Sequence, residues 1–386
     1  HNIFEVGASK NGLFRGDSSM DKQNLLIFLP SGSANYALGQ AYISKLQALL
    51  TQYYEVTCLR SLDRSTLSAR DYDVIHVFTL WHRSVLHLLH KAYSLHIPVV
   101  ITPLGDLQPW VYALHQHSYE WLKWKKAITK ASAVQVCGKL EEHSFQQLHL
   151  NTRTVLIKNP ILTNLVTFES VAQATGKLYR KVIDSNVRFS ITEETNALLC
   201  GTIQLGIDDF MLRNHELCRK LSQQWPQLTN EQWRKILIYA TDEHVDDYLS
   251  IGLERLNISM PNLNVQDIEK YPLPWKYAEG DLPSDTLIPH SILIRSKLSE
   301  NVDKNEVGER QLAIEMINLH HETESSHVPL RHLANVYTTL RFIPMDEDRV
   351  VDILKAMGLS AFAQKVIKKL QKTLRLPDGY AINMKH

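Results

Sequence analysis

Asp106, His82 and His76 are the residues whose type and position best suit proton transfer. Carboxylates and imidazoles are the side chains that most often exchange protons in a reacting site. His76 lies in the apolar run Asp73–Phe78, and His82 lies just beyond it. Asp106 closes the stretch Thr102-Pro103-Leu104-Gly105-Asp106, which follows a second apolar run. Asp106 reads as an acid–base or acceptor-orienting group, with a cap on the following turn as the plainer alternative. For His76 and His82 the plainer alternative is a hydrogen-bonded structural imidazole. Groups suited to binding surround these three. Ser31, Gly32, Ser33 and Asn35 make a short polar turn. Gly105 and Gly138 open the backbone to a ligand. Lys139 and Asn159 add polar donors, and Trp81 and Trp110 supply flat rings on which a ligand could stack.

Other constellations point to less. His87 and His90 share a helix face three residues apart, which is half a metal site, so no metal is expected. No two of the four cysteines have C-x-x-C spacing, and a reduced, cytoplasmic setting is expected. The stretch 110–130 joins Trp110, Tyr112, Tyr119, Trp121 and Trp124 to Lys123, Lys125, Lys126 and Lys130. Rings beside cations suit a saccharide, a lipid-linked acceptor or peripheral contact with a membrane surface. An amphipathic helix with solvated lysines is the alternative. Lys365, Lys368, Lys369 and Lys372 likewise read as the solvated face of a last helix.

The elements that must position these residues are legible between 24 and 165. Apolar runs at 24–29, 55–59, 73–78, 97–102, 133–136 and 154–157 read as strands. Helical periodicity at 41–50, 85–95, 123–131 and 140–148 separates most of them. Short continuous apolar strands alternating with helices predict an α/β fold, a Rossmann-like parallel sheet covered on both faces. Ligands of such sheets bind beyond the carboxyl ends of the strands, where Ser31 to Asn35, Trp81, His82, Gly105, Asp106, Trp110, Gly138, Lys139 and Asn159 fall.

Five ordered segments carry a resemblance. They are Asp71–Phe78 with Trp81-His82, Ile97–Gly105, Pro109-Trp110, Ala131–Val136 and Ile157–Ile161. Together they resemble the N-terminal half of family-4 glycosyltransferases of GT-B architecture. The resemblance implies an acceptor-holding domain, a nucleotide-sugar donor held by a second Rossmann-like domain, retention of configuration, and no metal or other cofactor. Three departures stand out. Leu104 occupies the place of the family's T-P-H-G histidine, and leucine exchanges no proton. The turn after the first strand keeps only Gly32. No two Glu are separated by seven residues, as the family's donor domain has them.

After residue 166 strand-like runs become rare. Helices are expected at 207–224, 230–240, 245–256, 308–321, 330–340, 346–357 and 360–374. Thr229 with Gln232 reads as a capping box and Gly358 as a helix stop. The expected organisation is a tail 1–23, a glycosyltransferase-type domain 24–165, a helical domain 166–258, a Pro-rich connector 259–290 and a C-terminal helical domain 291–386.

The 386 residues, with 42 Lys plus Arg against 41 Asp plus Glu, leave a formal charge of +1. That balance does not suit a nucleic-acid binder. No apolar run approaches the roughly 20 residues of a membrane span, and no leader-like segment opens the chain. The function expected is transfer of a sugar from a nucleotide sugar to a saccharide or lipid-linked acceptor. The rival is an inactive scaffold or saccharide-binding protein whose C-terminal helices bind a protein partner.

Overall fold

The computed structural model describes residues 22–63, 71–263, 268–273, 286–325 and 327–384. Most of the expected tail 1–23, and residues 264–267 and 274–285 of the expected connector, lie outside them. The chain divides into two compact units. The first is His1–Ser190 with Gln266–Pro272, and the second is Ile191–Val265 with Leu273–His386.

The first unit carries the sheet. Its elements are β1 (Gln23–Phe28), α1 (Tyr36–Leu50), β2 (Tyr54–Leu59), β3 (Val74–Phe78), α2 (Arg83–Ser94), β4 (Val99–Thr102), α3 (Pro109–His115), α4 (Trp121–Lys130), β5 (Ala133–Val136), α5 (Lys139–Gln147), β6 (Thr154–Leu156), α6 (Phe168–Asp184) and the short α7 (Val187–Ser190). The six strands run in the order β2-β1-β3-β4-β5-β6, and every pair is parallel. The α/β, Rossmann-like fold followed by helices is therefore present. Successive side chains of a strand point to opposite faces, and both faces here are apolar. Leu26, Phe28, Ile75, Val77, Val99 and Ile101 pack with α2 and α4. Leu25, Ile27, Val74, Phe78 and Val100 pack with α1 and α6.

Helix α6 moves the expected boundary at 165. Its residues Val171, Leu178, Tyr179, Val182 and Ile183 are buried in the second of these cores. Thr167 and Ser170 cap it reciprocally. The sheet unit thus extends to residue 190. Part of the expected connector also belongs to it. The Tyr271 amide donates to Ser185 Oγ at 2.8 Å, and Lys181 meets Glu269 at 2.7 Å.

The second unit is built, among the described residues, from α8 (Glu193–Ile207), α9 (His215–Gln224), α10 (Asn230–Asp242), α11 (Asp246–Arg255), α12 (Ile292–Asn301), α13 (Val307–Ser325), α14 (Leu330–Phe342), α15 (Glu347–Ala356) and α16 (Ser360–Thr373). One core runs through it from Leu198 to Ile382, joining the two helical stretches expected as separate domains. The helix expected over 207–224 is broken instead. Asp208 accepts from the Phe210 amide and Asn214 from the Leu217 amide, so two side-chain caps interrupt one apolar periodicity. The capping box at Thr229 and Gln232 forms, and Gly358 ends α15 with φ +75°. Helices α8 and α11 approach through glycine. A Cβ on Gly206 would lie 1.9 Å from the Tyr248 carbonyl oxygen, and one on Gly252 would lie 2.1 Å from that of Thr202. Among the described residues no helix is long and apolar enough to cross a membrane.

Candidate functional site

In the order β2-β1-β3 the chain leaves β1 in one direction for β2 and in the other for β3. Crevices at such reversals receive ligands. The turns after β1 and β3 flank this one. A Cβ on Gly32 would lie 3.4 Å from His82 Nε2, so the two expected site residues do meet. His82 also starts α2. Its Nδ1 pairs with Ser84 Oγ at 2.6 Å and accepts from the Ser84 amide at 3.3 Å. The plainer reading of a hydrogen-bonded structural imidazole is therefore realised at His82 Nδ1, which caps α2, with Nε2 left toward Gly32.

Asp106 is the hub of the strand-end loops. Its Oδ1 accepts from Asn35 Nδ2 at 3.0 Å, and its Oδ2 accepts from the Leu80 amide at 2.6 Å. Its main-chain oxygen accepts from the Trp81 indole at 2.8 Å. Asn35 Nδ2 also donates to the Leu104 carbonyl at 3.0 Å. One buried carboxylate thus ties the loops after β1, β3 and β4. A carboxylate offers about four lone-pair directions, so capacity remains for a further donor. Burial raises the Asp106 pKa to about 7; the Leu80 amide pulls against this, the Glu141 charge adds to it, and the Asn35 amide opposes it. A carboxyl in that range is suited to exchanging a proton at neutral pH.

Glu141 completes the network, and the sequence reading missed it. Its Oε1 accepts from the Gly105 amide at 3.1 Å and its Oε2 from the Cys137 amide at 2.7 Å. It joins the loops after β4 and β5. Its place three residues past Gly138, in the first turn of α5, was the available signal. Asp106 and Glu141 are both buried, and neither has an ion-pair partner among the described residues.

Backbone strain concentrates at the same edge. Thr79 (φ 73°), Trp81 (φ 60°), Leu104 (φ 50°) and Gly105 (φ 87°) are all left-handed. Each of the first three costs about 1–3 kcal/mol unless its surroundings enforce it. The hydrogen bonds converging on Asp106 and Glu141 supply that enforcement. Thr79 Oγ1 and Ser33 Oγ are buried there without a hydrogen-bond partner.

Apart from the Trp81 indole bond to the Asp106 carbonyl, the remaining expected residues fall outside this network. His76 is corrected. It is fully buried on the α1–α6 face, with Nδ1 2.6 Å from the Tyr179 hydroxyl and Nε2 2.6 Å from Thr102 Oγ1. It stacks on Phe78 at 4.2 Å, and burial lowers its pKa to about 3. It is a neutral core imidazole with both nitrogens engaged. Trp81 keeps little free ring face. His115 stacks on it at 4.2 Å and 2°, and Trp124 meets it at 5.3 Å. Trp110 is 69% exposed, and its indole reaches only Gln108. Ser31 and Lys139 are exposed. Gly138 caps α5 with open space where a Cβ would go. Asn159 is buried; its Oδ1 accepts from the Ile161 amide, while its Nδ2 has no partner.

Leu104 turns away from the crevice. Its side chain is buried with that of Leu29, and both crowd Gly39, where a Cβ would lie 3.1 Å from Leu104 Cδ1. Among the described residues no group of three or more His, Cys, Asp or Glu could hold a metal ion. No family model, no curated protein and no solved structure matches the chain.

Proposed function

We propose that the chain is a glycosyltransferase-like protein whose sheet unit holds a hydroxyl-rich acceptor, a saccharide or lipid-linked sugar, at the carboxyl ends of β1, β3 and β4. The observation that carries this reading is the Asp106 carboxylate, fixed by Asn35 and Leu80 at the edge of the reversal crevice. Two buried carboxylates without cation partners disfavour a phosphate and favour donors such as sugar hydroxyls. Asp106 then orients an acceptor hydroxyl and takes its proton as the hydroxyl oxygen bonds the donor's anomeric carbon, while the bond from that carbon to the nucleoside diphosphate breaks and the diphosphate leaves with the electron pair. His82 Nε2 and the free hydroxyls of Ser33 and Thr79 would contact the same ligand. A nucleotide sugar is the donor in this reading, and no resident cofactor is invoked.

A second reading has its own support. Leu104 points into the core where the resemblance expects a histidine, and the described part of the second unit is helical. Both favour a non-catalytic saccharide-binding relative whose helical unit binds a protein partner. Incubation of the full chain with a panel of nucleotide sugars and saccharide acceptors separates the two. Transfer, or release of nucleoside diphosphate, supports the enzyme. Binding of saccharide without turnover supports the scaffold, and no response to any saccharide or nucleotide sugar contradicts both.

A further inference from the structure

The sheet unit carries a surface that the saccharide reading does not use. No residue of α3 is buried, although Pro109–His115 contains Trp110, Val111, Tyr112 and Leu114. Trp110 is 69% exposed, Leu114 70%, Tyr119 96% and Leu122 76%. Scattered apolar residues need no explanation, but four large ones within thirteen residues of chain form an unusual concentration. Helix α4 buries Trp124, Ala127 and Ile128 and turns its other face outward. That outer face carries Leu122 among Lys123, Lys125, Lys126 and Lys130, all exposed. Tyr112 of α3 packs edge-on against Trp121 of α4 at 4.9 Å, which joins the two helices.

The cations lie close to one another and to α2. Burial lowers the His90 pKa, and the charges of Lys123, Lys126, Lys130 and His87 lower it further. None of the four lysines has an ion-pair partner among the described residues, so their field is uncompensated. The nearest acid in sequence, Glu120, lies 3.9 Å from Arg83. Exposed rings and leucines beside unpaired lysines match the layered chemistry of a bilayer surface, where apolar groups enter beneath a plane of phosphates.

We propose that the α3–α4 surface docks on an anionic phospholipid bilayer, with Trp110, Leu114, Tyr119 and Leu122 entering the headgroup layer and Lys123, Lys125, Lys126 and Lys130 meeting lipid phosphates. This docking is independent of what the strand-end site binds. It would set the unit on a membrane surface without a spanning segment.

The test is co-sedimentation of the full chain with vesicles of phosphatidylcholine containing about one quarter phosphatidylserine, and with phosphatidylcholine alone. Binding to the first, falling as salt rises, is expected, with little binding to the second. Each Lys→Gln substitution at 123, 125, 126 or 130 should weaken partition about five-fold. The triple variant Leu114→Ser, Tyr119→Ser, Leu122→Ser should lose vesicle binding while its thermal unfolding stays near that of the parent, since all three side chains are exposed. Absence of binding to the anionic vesicles overturns the proposal, as does binding that both sets of variants retain. Sedimentation velocity covers the rival occupant. Dissociation of a dimer by the triple variant, with vesicle binding unchanged, would assign the surface to a second copy and overturn lipid docking.

Discussion

The Asn35 amide nitrogen donates to Asp106 Oδ1 at 3.0 Å and to the Leu104 carbonyl at 3.0 Å, joining loops some 70 residues apart in the chain. A single side chain thereby fixes both the carboxylate and the left-handed residue beside it. Replacing Asn35 with Ala leaves the Leu104 carbonyl and Asp106 Oδ1 without this donor. A loss of about 1–3 kcal/mol of unfolding free energy is expected. The Asp106 pKa should also rise, because a hydrogen bond that favours its ionised form is gone. Urea denaturation checks the first effect, and carboxyl titration by NMR checks the second.

His76 makes the fold sensitive to acid. Its folded-state pKa, about 3, lies below its ordinary 6.5, so the unfolded chain binds the proton more readily. Its contribution is fully present above about pH 6.5 and is lost as pH falls toward 3. His76→Leu should flatten that acid limb. It should also cost stability at neutral pH, since the hydroxyls of Tyr179 and Thr102 lose their shared partner. Denaturation midpoints measured between pH 4 and 7 decide it.

Glu315 has the opposite sign. It is half-buried in the helical unit with its Oε2 shielded from water, and the Thr339 hydroxyl donates to it at 2.8 Å and the Gln311 amide at 3.4 Å. Burial raises its pKa from 4.5 to about 8 against those two bonds. The folded state therefore holds the proton, and the stability it contributes below about pH 4.5 declines as pH rises through 8. Glu315→Gln mimics the protonated form and should remove that decline. Stability curves of the two proteins should converge below about pH 4.5, separate as pH rises from there to about 8, and run parallel above it.

The approach of α8 and α11 depends on Gly206 and Gly252. A methyl at either would meet a backbone carbonyl, which cannot swing aside as a flexible side chain can. Gly206→Ala or Gly252→Ala should each destabilise the helical unit by about 1–3 kcal/mol or more, despite the better helix propensity of Ala. A lower midpoint in thermal unfolding checks this, and a raised midpoint would show that the helices can separate without loss.

The sheet was legible because strands buried on both faces read as continuous apolar runs, and 133–136 was placed to the residue. Helix α6 was not assigned to it. Its apolar stripe at 171, 178, 179, 182 and 183 says that a face is buried, not which layer it covers. The helix expected at 207–224 was broken by Asp208 and Asn214, whose capping bonds outweigh the continuing periodicity of Met211 and Leu212. Asp106 was singled out because strand ends of parallel sheets gather ligands, and the structure places it where three strand-end loops meet. Glu141 was not found, because its role depends on the Gly105 amide 36 residues away. His76 was misplaced for a related reason. Its strand was recognised, but its partner Tyr179 lies 103 residues further on.

Binding of a hydroxyl-rich ligand by the carboxylate fixed at the strand ends underlies the proposed function. Its most direct test is the shift in melting temperature of the full chain with a panel of saccharides and nucleotide sugars, repeated for Asp106→Ala. At a ligand concentration of about 100 times Kd the parent should gain about 2.7 kcal/mol. The variant should be less stable without ligand and should gain nothing from the same sugar. A panel that leaves the parent unmoved, or a sugar that stabilises parent and variant equally, would show that Asp106 holds no such ligand.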